Sequence, residues 1–316
     1  MDKFYFCVDV GGTAIKAGIV DQHNNILHKA KIKTTVTNEP NYLADSIMVI
    51  IKMLEKESSL LLENSAGLAI GAPGLVDSSK GIIKFSGNLK LTNYPLKETL
   101  EKQVTVPVKV ANDADIATLA ELHAGAGKPY KNFIMLTLGT GIGSGIVVNG
   151  KLLSDFLPLS GEIGHIKIAN TGEPCSCGDY DCFEAHASTK ALVRLTANAM
   201  RENPKSKMWS ECTPETANGK TIFNFLDSDT TAKQVFEKFI ENLGTGIVSL
   251  INIFAPEAIV IGGAISNEKD IILKPLQTYV NKRIYIGNIG IKSNIVIAEQ
   301  PGNAGIIGGK FLFDGE

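Results

Sequence analysis

One pattern occurs twice in the chain and most constrains its fold: an apolar strand, a turn rich in Gly and Thr, and a second apolar strand. In the first copy, the apolar run Phe4–Val10 leads into Gly11, Gly12 and Thr13, and a second apolar run covers residues 14–20. In the second copy, the run Phe133–Leu138 leads into residues 139–145, where four of seven residues are glycine, and then into a strand at 146–148. Short apolar runs that end in glycine turns are typical of buried strands, so the repeat predicts two related α/β halves.

Both turns have the composition of a phosphate-binding loop. Glycine lets backbone N–H groups approach phosphate oxygens closely, and the Thr13 hydroxyl adds a donor. Asp9 would face a phosphate-bound Mg²⁺, and Lys16 would add positive charge. A third turn, Gly262-Gly263, could accept an adenine or an α-phosphate, or could simply end its strand. An ordinary tight hairpin also explains the first turn on its own, but two turns in matching context favour a nucleotide held between two halves.

Polar residues follow another predicted strand, at residues 106–110. Asn112, Asp113 and Asp115 come after it, and a helix is predicted over residues 116–124. Asp or Asn before a helix is commonly an N-cap, and either aspartate fits that role. Three polar side chains exceed what one cap requires. Asp113 is therefore a candidate general base, and Asn112 a candidate amide for orienting a ligand.

Residues 161–184 contain three of the five cysteines. Cys175, Cys177 and Cys182 lie within eight residues, and His165 precedes them. Thiolate and imidazole are ligands that Zn²⁺ prefers, and four of them complete a tetrahedral site. Disulfides and free thiols are the alternatives, although the surrounding Gly, Ser and Asp residues do not suit a packed core. A zinc ion here would also fix two carboxylates in space, those of Glu162 and Glu184.

Length and composition favour a soluble protein of about two domains. The chain has 316 residues and a formal net charge of −2, which gives no reason to expect nucleic acid or an anionic membrane as a partner. The longest apolar stretch, residues 244–265, is interrupted by Pro256 and is not one membrane span. It predicts a helix, a break at Ala255-Pro256 and a buried strand. We expect a cytoplasmic location. Residues 123–129 are the best candidate in the chain for a hinge or linker.

Together these segments resemble the ROK family of sugar kinases and related repressors, which belong to the actin-like ATPase superfamily. The resemblance covers essentially the whole chain and rests on VDVGGTAIK, GAPGLVD, ANDAD, LTLGTGIGSGIV, GEIGH, CSCGDYDCFE and VIGGAIS. It implies an α/β, two-lobed actin-like ATPase (RNase H-like) fold with a zinc-binding loop in the second lobe. The first lobe would comprise residues 1–128, completed by a C-terminal helix in 299–316, and the second lobe residues 129–298.

The resemblance also implies an activity and a role for individual residues. The activity is ATP-dependent transfer of the γ-phosphoryl group to the primary hydroxyl of a hexose, with Asp113 as general base. The positions implied for ATP and Mg²⁺ are Asp9, Gly11, Gly12, Thr13, Lys16, Gly139, Thr140, Gly141, Gly143, Gly262 and Gly263. The positions implied for the sugar are Gly74, Asn88, Asn112, Asp113, Glu162, His165 and Glu184. The implied ligands of a structural zinc ion are His165, Cys175, Cys177 and Cys182, so His165 would contact both metal and sugar.

Two positions depart from the family pattern. Asp181 stands where the cysteine loop of relatives has a second glycine, and Asp tolerates a positive φ there at a modest cost. Leu75 follows Gly74, where some relatives that act on N-acylated sugars carry Arg. Leu75 therefore favours an unacylated hexose such as glucose. Kinases for N-acetylglucosamine, N-acetylmannosamine or fructose are the alternatives.

Two further functions compete with a sugar kinase. A sugar-responsive transcriptional regulator of the same family would carry an N-terminal DNA-binding domain, whereas the first phosphate strand here begins at Phe4. An ATPase acting on another acceptor would leave Glu162 and Glu184 without a purpose. From the family we also expect a homodimer or homotetramer.

Overall fold

The computed structural model describes residues 3–153, 161–285, 287–290, 292–300 and 302–314, except for the side chain of residue 288. The chain divides into two compact units. The first unit comprises Met1–Lys131, Gly145–Ser160 and Glu299–Glu316, and the second comprises Asn132–Ser144 and Gly161–Ala298. Among the described residues, no helix is long and apolar enough to cross a membrane.

Two five-stranded sheets follow the same strand order. The strands, in chain order, are β1 (Phe4–Val10), β2 (Ala14–Asp21), β3 (Ile26–Lys33), β4 (Leu68–Ala72), β5 (Leu75–Asp77), β6 (Ile82–Ser86), β7 (Leu91–Tyr94), β8 (Val108–Asn112), β9 (Phe133–Leu138), β10 (Ile142–Val148), β11 (Lys151–Leu152), β12 (Ala258–Gly263) and β13 (Asn294–Ile297). The first sheet runs β3-β2-β1-β4-β8 and the second β11-β10-β9-β12-β13. In each sheet the strand before the glycine turn is central. β1 pairs in parallel with β4, and β9 pairs in parallel with β12. The matching order confirms the two related α/β halves predicted from the repeat.

Eight helices pack around these sheets within the described residues. They are α1 (Tyr42–Ser58), α2 (Leu96–Glu101), α3 (Asp113–Ala124), α4 (Phe183–Ala187), α5 (Thr189–Glu202), α6 (Thr230–Phe254), α7 (Asp270–Asn281) and α8 (Ala304–Lys310). A separate antiparallel sheet, β5-β6-β7, completes the first unit. In α1, the apolar face, including Ile47 and Ile51, is fully buried against the first sheet. The helix is followed by its C-cap Ser59, whose φ of 61° is left-handed.

Helix α8 approaches the first sheet and α3 closely because its glycines lack side chains. A methyl group at Gly308 would overlap the backbone of Ile116, and one at Gly305 would lie 2.5 Å from Asp9 Cγ. The last helix of the chain therefore packs directly behind the first glycine turn.

Two predicted boundaries are wrong. Helix α3 begins at Asp113 rather than at residue 116, because Asn112 caps it. Strand β10 begins at Ile142 rather than at residue 146, so part of the glycine-rich stretch is strand. The predicted break after α6 is confirmed, since Ala255 has a left-handed φ of 44°.

Candidate functional site

The first glycine turn joins β1 to β2 and is fastened to neighbouring backbone. Gly11 donates its N–H to the Ala14 carbonyl at 2.9 Å. Thr34, the residue after β3, donates its hydroxyl to the Gly11 carbonyl at 2.6 Å and its N–H to the Thr13 carbonyl at 3.1 Å. A side chain at Gly11 would lie 2.9 Å from the Ala14 oxygen, so glycine is needed for this tight hairpin.

Asp9 and Lys16 face each other across β1 and β2. They are ladder partners, and Lys16 Nζ lies 3.7 Å from Asp9 Oδ2. Burial raises the pKa of the Asp9 carboxyl, and Lys16 opposes this shift without cancelling it. The fold therefore holds a carboxylate beside the turn at an energetic disadvantage, a common property of functional groups.

In the first unit, Asn112 connects the other candidate positions. Its side-chain oxygen accepts the N–H groups of Ala114 and Asp115, at 2.7 and 3.3 Å, which makes it the N-cap of α3. Its amide nitrogen donates to the Gly74 carbonyl at 2.9 Å. Neither Asp113 nor Asp115 is thus the N-cap that the sequence allowed. Asp113 is instead the first residue of the helix and is partly exposed. Its Oδ1 lies 2.9 Å from the Ala114 nitrogen.

Gly74 and Asn88 lie near these residues in the same unit. Gly74 has a φ of 101°, and a side chain there would overlap the backbone of Phe85, so only glycine fits. A methyl group at Gly12 would lie 3.8 Å from Asn88 Cβ, which puts Asn88 beside the first glycine turn. The first unit therefore brings its predicted phosphate and sugar positions together at one edge of the sheet.

The second glycine turn, from Gly139 to Gly141, joins β9 to β10, and Gly143 is the second residue of β10. Gly262 and Gly263 end β12 opposite Thr137 and Leu138, the last residues of β9. Gly263 has a φ of 87°, and any side chain there would overlap Leu138. The third glycine turn thus lies beside the second.

Glu184 contacts both the second glycine turn and the cysteine loop, residues 173–182. Its Oε2 accepts the Ile142 N–H at 3.0 Å, and its Oε1 accepts the Ser176 hydroxyl at 2.5 Å. A methyl group at Gly141 would overlap this carboxylate. Glycine at 141 therefore leaves room for the Glu184 carboxylate.

The three cysteines and His165 converge as predicted. Their donor atoms all lie within 4.8 Å of one another. Cys177 Sγ is 3.7 Å from Cys182 Sγ, and Cys175 Sγ is 3.7 Å from His165 Nδ1. Thiolates about 2.3 Å from a tetrahedral zinc ion lie about 3.8 Å apart, so both the donor set and its spacing suit Zn²⁺. Burial and then the neighbouring thiols raise the pKa of Cys182 to about 12, so its proton has to leave when a metal binds.

The two nitrogens of His165 face different groups. Nδ1 faces Cys175, and Nε2 lies 3.9 Å from Glu162 Oε2. Burial raises the pKa of the Glu162 carboxyl, His165 opposes this, and the charge of Glu184 adds to it. The imidazole thus stands between the thiols on one side and a carboxylate on the other.

Asp181 has the left-handed conformation that the sequence suggested, with a φ of 58°. Its buried carboxylate accepts the N–H groups of Thr171, Gly172 and Glu173 at 2.8–3.1 Å, and it also pairs with His186 Nε2 at 3.0 Å. Burial raises the pKa of this carboxyl. The hydrogen bond from the Thr171 hydroxyl, followed by the other bonds, outweighs burial and holds the pKa of Asp181 well below its usual range. The residue that departs from the family pattern therefore organises the turn before the cysteines.

Several contributors were missed from sequence alone. They are Thr34 at the first turn, Ser176 and Thr189 around the second, and His186 behind Asp181. Only Ser176 lies inside a motif, and a serine between two cysteines carries no distinctive signal. His186 and Thr189 lie just beyond the cysteine loop, and Thr34 contacts the first turn from the end of β3.

Two five-stranded sheets of the same strand order, each with a glycine turn after its central strand, define a duplicated α/β protein. The sequence profile of the ROK family matches residues 5–316, and the chain belongs to that family. It is 35% identical to a glucokinase of Halalkalibacterium halodurans, over 98% of this chain and 95% of that protein.

Two solved structures are also similar. A ROK family glucokinase from Streptomyces griseus, in complex with glucose and AMPPNP, has a TM-score of 0.86 and 30% identity over 98% of each chain. A ROK family transcriptional regulator, homologous to the MLC protein of E. coli, has a TM-score of 0.85 and 26% identity over 98% of this chain and 77% of that one. The fold is therefore shared by enzymes and regulators.

Proposed function

We propose that this protein transfers the γ-phosphoryl group of ATP to the primary hydroxyl of a hexose, with glucose as the favoured acceptor. The observation that carries the proposal is full-length similarity to glucokinases, one of them solved with glucose and AMPPNP. Leu75 beside Gly74 supports an unacylated sugar. The proposal includes an actin-like ATPase fold, a cytoplasmic location, where ATP is supplied, and a homodimer or homotetramer.

Asp113 is the proposed general base. It is partly exposed at the start of α3, next to Asn112, whose amide is fastened to Gly74. A carboxylate there can accept the proton of the sugar hydroxyl as that oxygen attacks the γ-phosphorus and the bond to ADP breaks. The residues proposed to contact the sugar are Gly74, Asn88 and Asn112, together with Glu162, His165 and Glu184.

The glycine turns are proposed to bind the negatively charged phosphates of ATP. Backbone N–H groups at Gly12 and Thr13, and at Thr140, Gly141 and Gly143, would bind phosphate oxygens, with Gly262 and Gly263 near the adenosine. Gly11 and Gly139 would shape the two turns, because their own N–H groups donate to carbonyls within those turns. Lys16 would add a positive charge. Mg²⁺, when bound, would neutralise charge that develops on the phosphates, and Asp9 would hold it directly or through water.

A structural zinc ion is proposed for the Cys₃His cluster. His165, Cys175, Cys177 and Cys182 would complete its tetrahedron, with His165 bound through Nδ1, the nitrogen that faces Cys175. The Nε2 side would then remain available to a sugar hydroxyl, next to Glu162. Metal analysis of the purified protein tests this proposal and should find about one zinc per chain.

A coupled ADP-release assay tests the function. The panel comprises glucose, mannose, fructose, N-acetylglucosamine and N-acetylmannosamine, and glucose should give the highest kcat/KM. Asp113→Asn should retain glucose binding and lose at least about 100-fold in kcat, because a positioned base contributes about 10²–10⁴-fold. Asp115→Asn, two residues along the same helix, is the matched control and should keep most activity.

Three outcomes would change the assignment. Near-normal turnover by Asp113→Asn would remove it as the base. A preference for an N-acylated hexosamine would replace glucose as the acceptor. Glucose binding without any ADP release would favour a sugar-responsive regulator over an enzyme.

A further inference from the structure

The second glycine turn is held at both ends by residues that directly follow the cysteine loop. Glu184, in α4, accepts the N–H of Ile142 at the end of the turn. Thr189, the first residue of α5, donates its N–H to the carbonyl of Gly139 at the start of the turn, at 2.9 Å. Both contacts lie within the second unit, so the position of the turn depends on where residues 182–189 are held.

The other oxygen of Glu184 is bound by the cysteine loop itself. Ser176 lies between Cys175 and Cys177, two of the four candidate metal ligands, and its hydroxyl donates to Oε1 at 2.5 Å. A carboxylate has about four lone-pair sites, two on each oxygen. Glu184 can therefore keep both contacts and still accept a hydrogen bond from another hydroxyl.

We infer that Glu184 is a positioning residue that couples the cysteine loop to the phosphate-binding turn. A metal that orders the loop fixes Ser176, Ser176 fixes the carboxylate, and the carboxylate fixes the Ile142 N–H and the turn. The affinity for the ATP phosphates then depends on a loop that does not touch the nucleotide. This inference rests on the proposed function, in which the second turn binds ATP.

Ser176→Ala tests the coupling, because it removes one hydroxyl and leaves Glu184, the turn and every metal ligand in place. The dissociation constant of AMPPNP is measured by calorimetry without sugar. We expect binding to weaken roughly 3–10-fold, because Ser176 supports the turn indirectly, through one exposed hydrogen bond to Glu184. Ser176→Thr restores the hydroxyl and should recover wild-type affinity.

Two controls separate positioning from damage to the fold. Asp179→Asn removes a carboxylate of the same loop that pairs with Lys167 at 2.7 Å, and it should change AMPPNP affinity less than twofold. The zinc content of Ser176→Ala should match that of the wild type, and its melting temperature should fall by no more than about 3 °C, because the Ser176 bond is exposed. A merely structural role would give a larger fall in melting temperature along with the loss of affinity.

Removing the metal provides the second arm. A chelator first removes the zinc and is then dialysed away, and AMPPNP binding is measured with Mg²⁺ restored. Binding of the wild type should weaken at least as much as in Ser176→Ala. Once the metal is gone, Ser176→Ala should add less than a twofold change, because both perturbations break the same chain of contacts.

The result that overturns the inference is an unchanged AMPPNP dissociation constant in Ser176→Ala while the wild type is an active kinase. Additive effects of the chelator and the substitution would also overturn it. The proposed function fails differently, through a wild-type protein that releases no ADP with any hexose. A wild type that binds no AMPPNP refutes both.

Discussion

Gly141→Ala tests the packing of the second glycine turn. A methyl group at 141 would overlap the Glu184 carboxylate, which would have to leave its position. The hydrogen bonds from Ile142 and Ser176 would then be lost. The part-buried bond from Ile142 to a charged group contributes about 1.5–3 kcal/mol, and the exposed Ser176 bond about 0.5–1 kcal/mol, so the loss in the free energy of unfolding is roughly 2–4 kcal/mol.

The chain offers both a matched control and a local probe. Gly139→Ala changes the same turn, but a methyl group at 139 has no atom within 4 Å, and its φ is not left-handed. We expect Gly139→Ala to stay within about 0.5 kcal/mol of the wild type or to gain slightly from a less flexible unfolded chain. Trp209, the only tryptophan, lies in the second unit, so its fluorescence during urea unfolding reports on this unit.

Equal stability losses in the two alanine variants would refute the reasoning. A double-mutant cycle with Glu184→Ala provides a stricter test. If the methyl group acts by displacing the carboxylate, Gly141→Ala should cost less than about 0.5 kcal/mol once that carboxylate is already absent.

Three further predictions concern other parts of the site. Because burial raises the pKa of Asp9 above its ordinary 3.8, its ionised form destabilises the fold. Asp9→Asn should therefore be more stable than the wild type at pH 7, and this difference in stability should disappear as the pH falls below 3.8. Urea unfolding from pH 3 to 8 measures the difference. The same variant should lose kinase activity. Asp181→Gly should free the turn at residues 171–173, so limited proteolysis there should accelerate and a chelator should remove zinc faster, whereas the wild-type rates would contradict an organising role. Cys177→Ser should lose zinc and raise the KM for sugar more than it lowers kcat, which steady-state kinetics with metal analysis can check.

The sheets were predictable because their strands carry a local signal. β1 and β9 are short apolar runs that end in glycine, and both lie at the centre of their sheets. Glycines inside a strand misled the prediction. Residues 139–145 were all assigned to the turn, although β10 begins at Ile142. A side chain at Gly145 would overlap Thr118, so this glycine marks a close approach to α3 rather than a turn. Helix α7 was missed, and Pro275 in its interior interrupts the pattern that indicates a helix.

The metal cluster was predictable for a different reason. Thiol and imidazole ligands are few in type, and three of the four lie within eight residues, so sequence proximity already implied proximity in space. The N-cap of α3 could not be predicted from the sequence in the same way. Asn112, Asp113 and Asp115 are all good capping residues, and only the geometry of the strand end decides that Asn112 caps while Asp113 begins the helix.

The double role of Glu184 depends on contacts that no local pattern contains. Ile142 and Glu184 are 42 residues apart, and their hydrogen bond forms because α4 begins immediately after Cys182 and carries the carboxylate to the turn. Moving Glu184 one position along a helix would rotate its side chain by about 100° and break the contact. The spacing between Cys182 and Glu184 therefore positions the glycine turn, in addition to the sugar-binding role proposed for Glu184. For that reason, a substitution in the cysteine loop should be judged by its effect on nucleotide binding as well as on metal content.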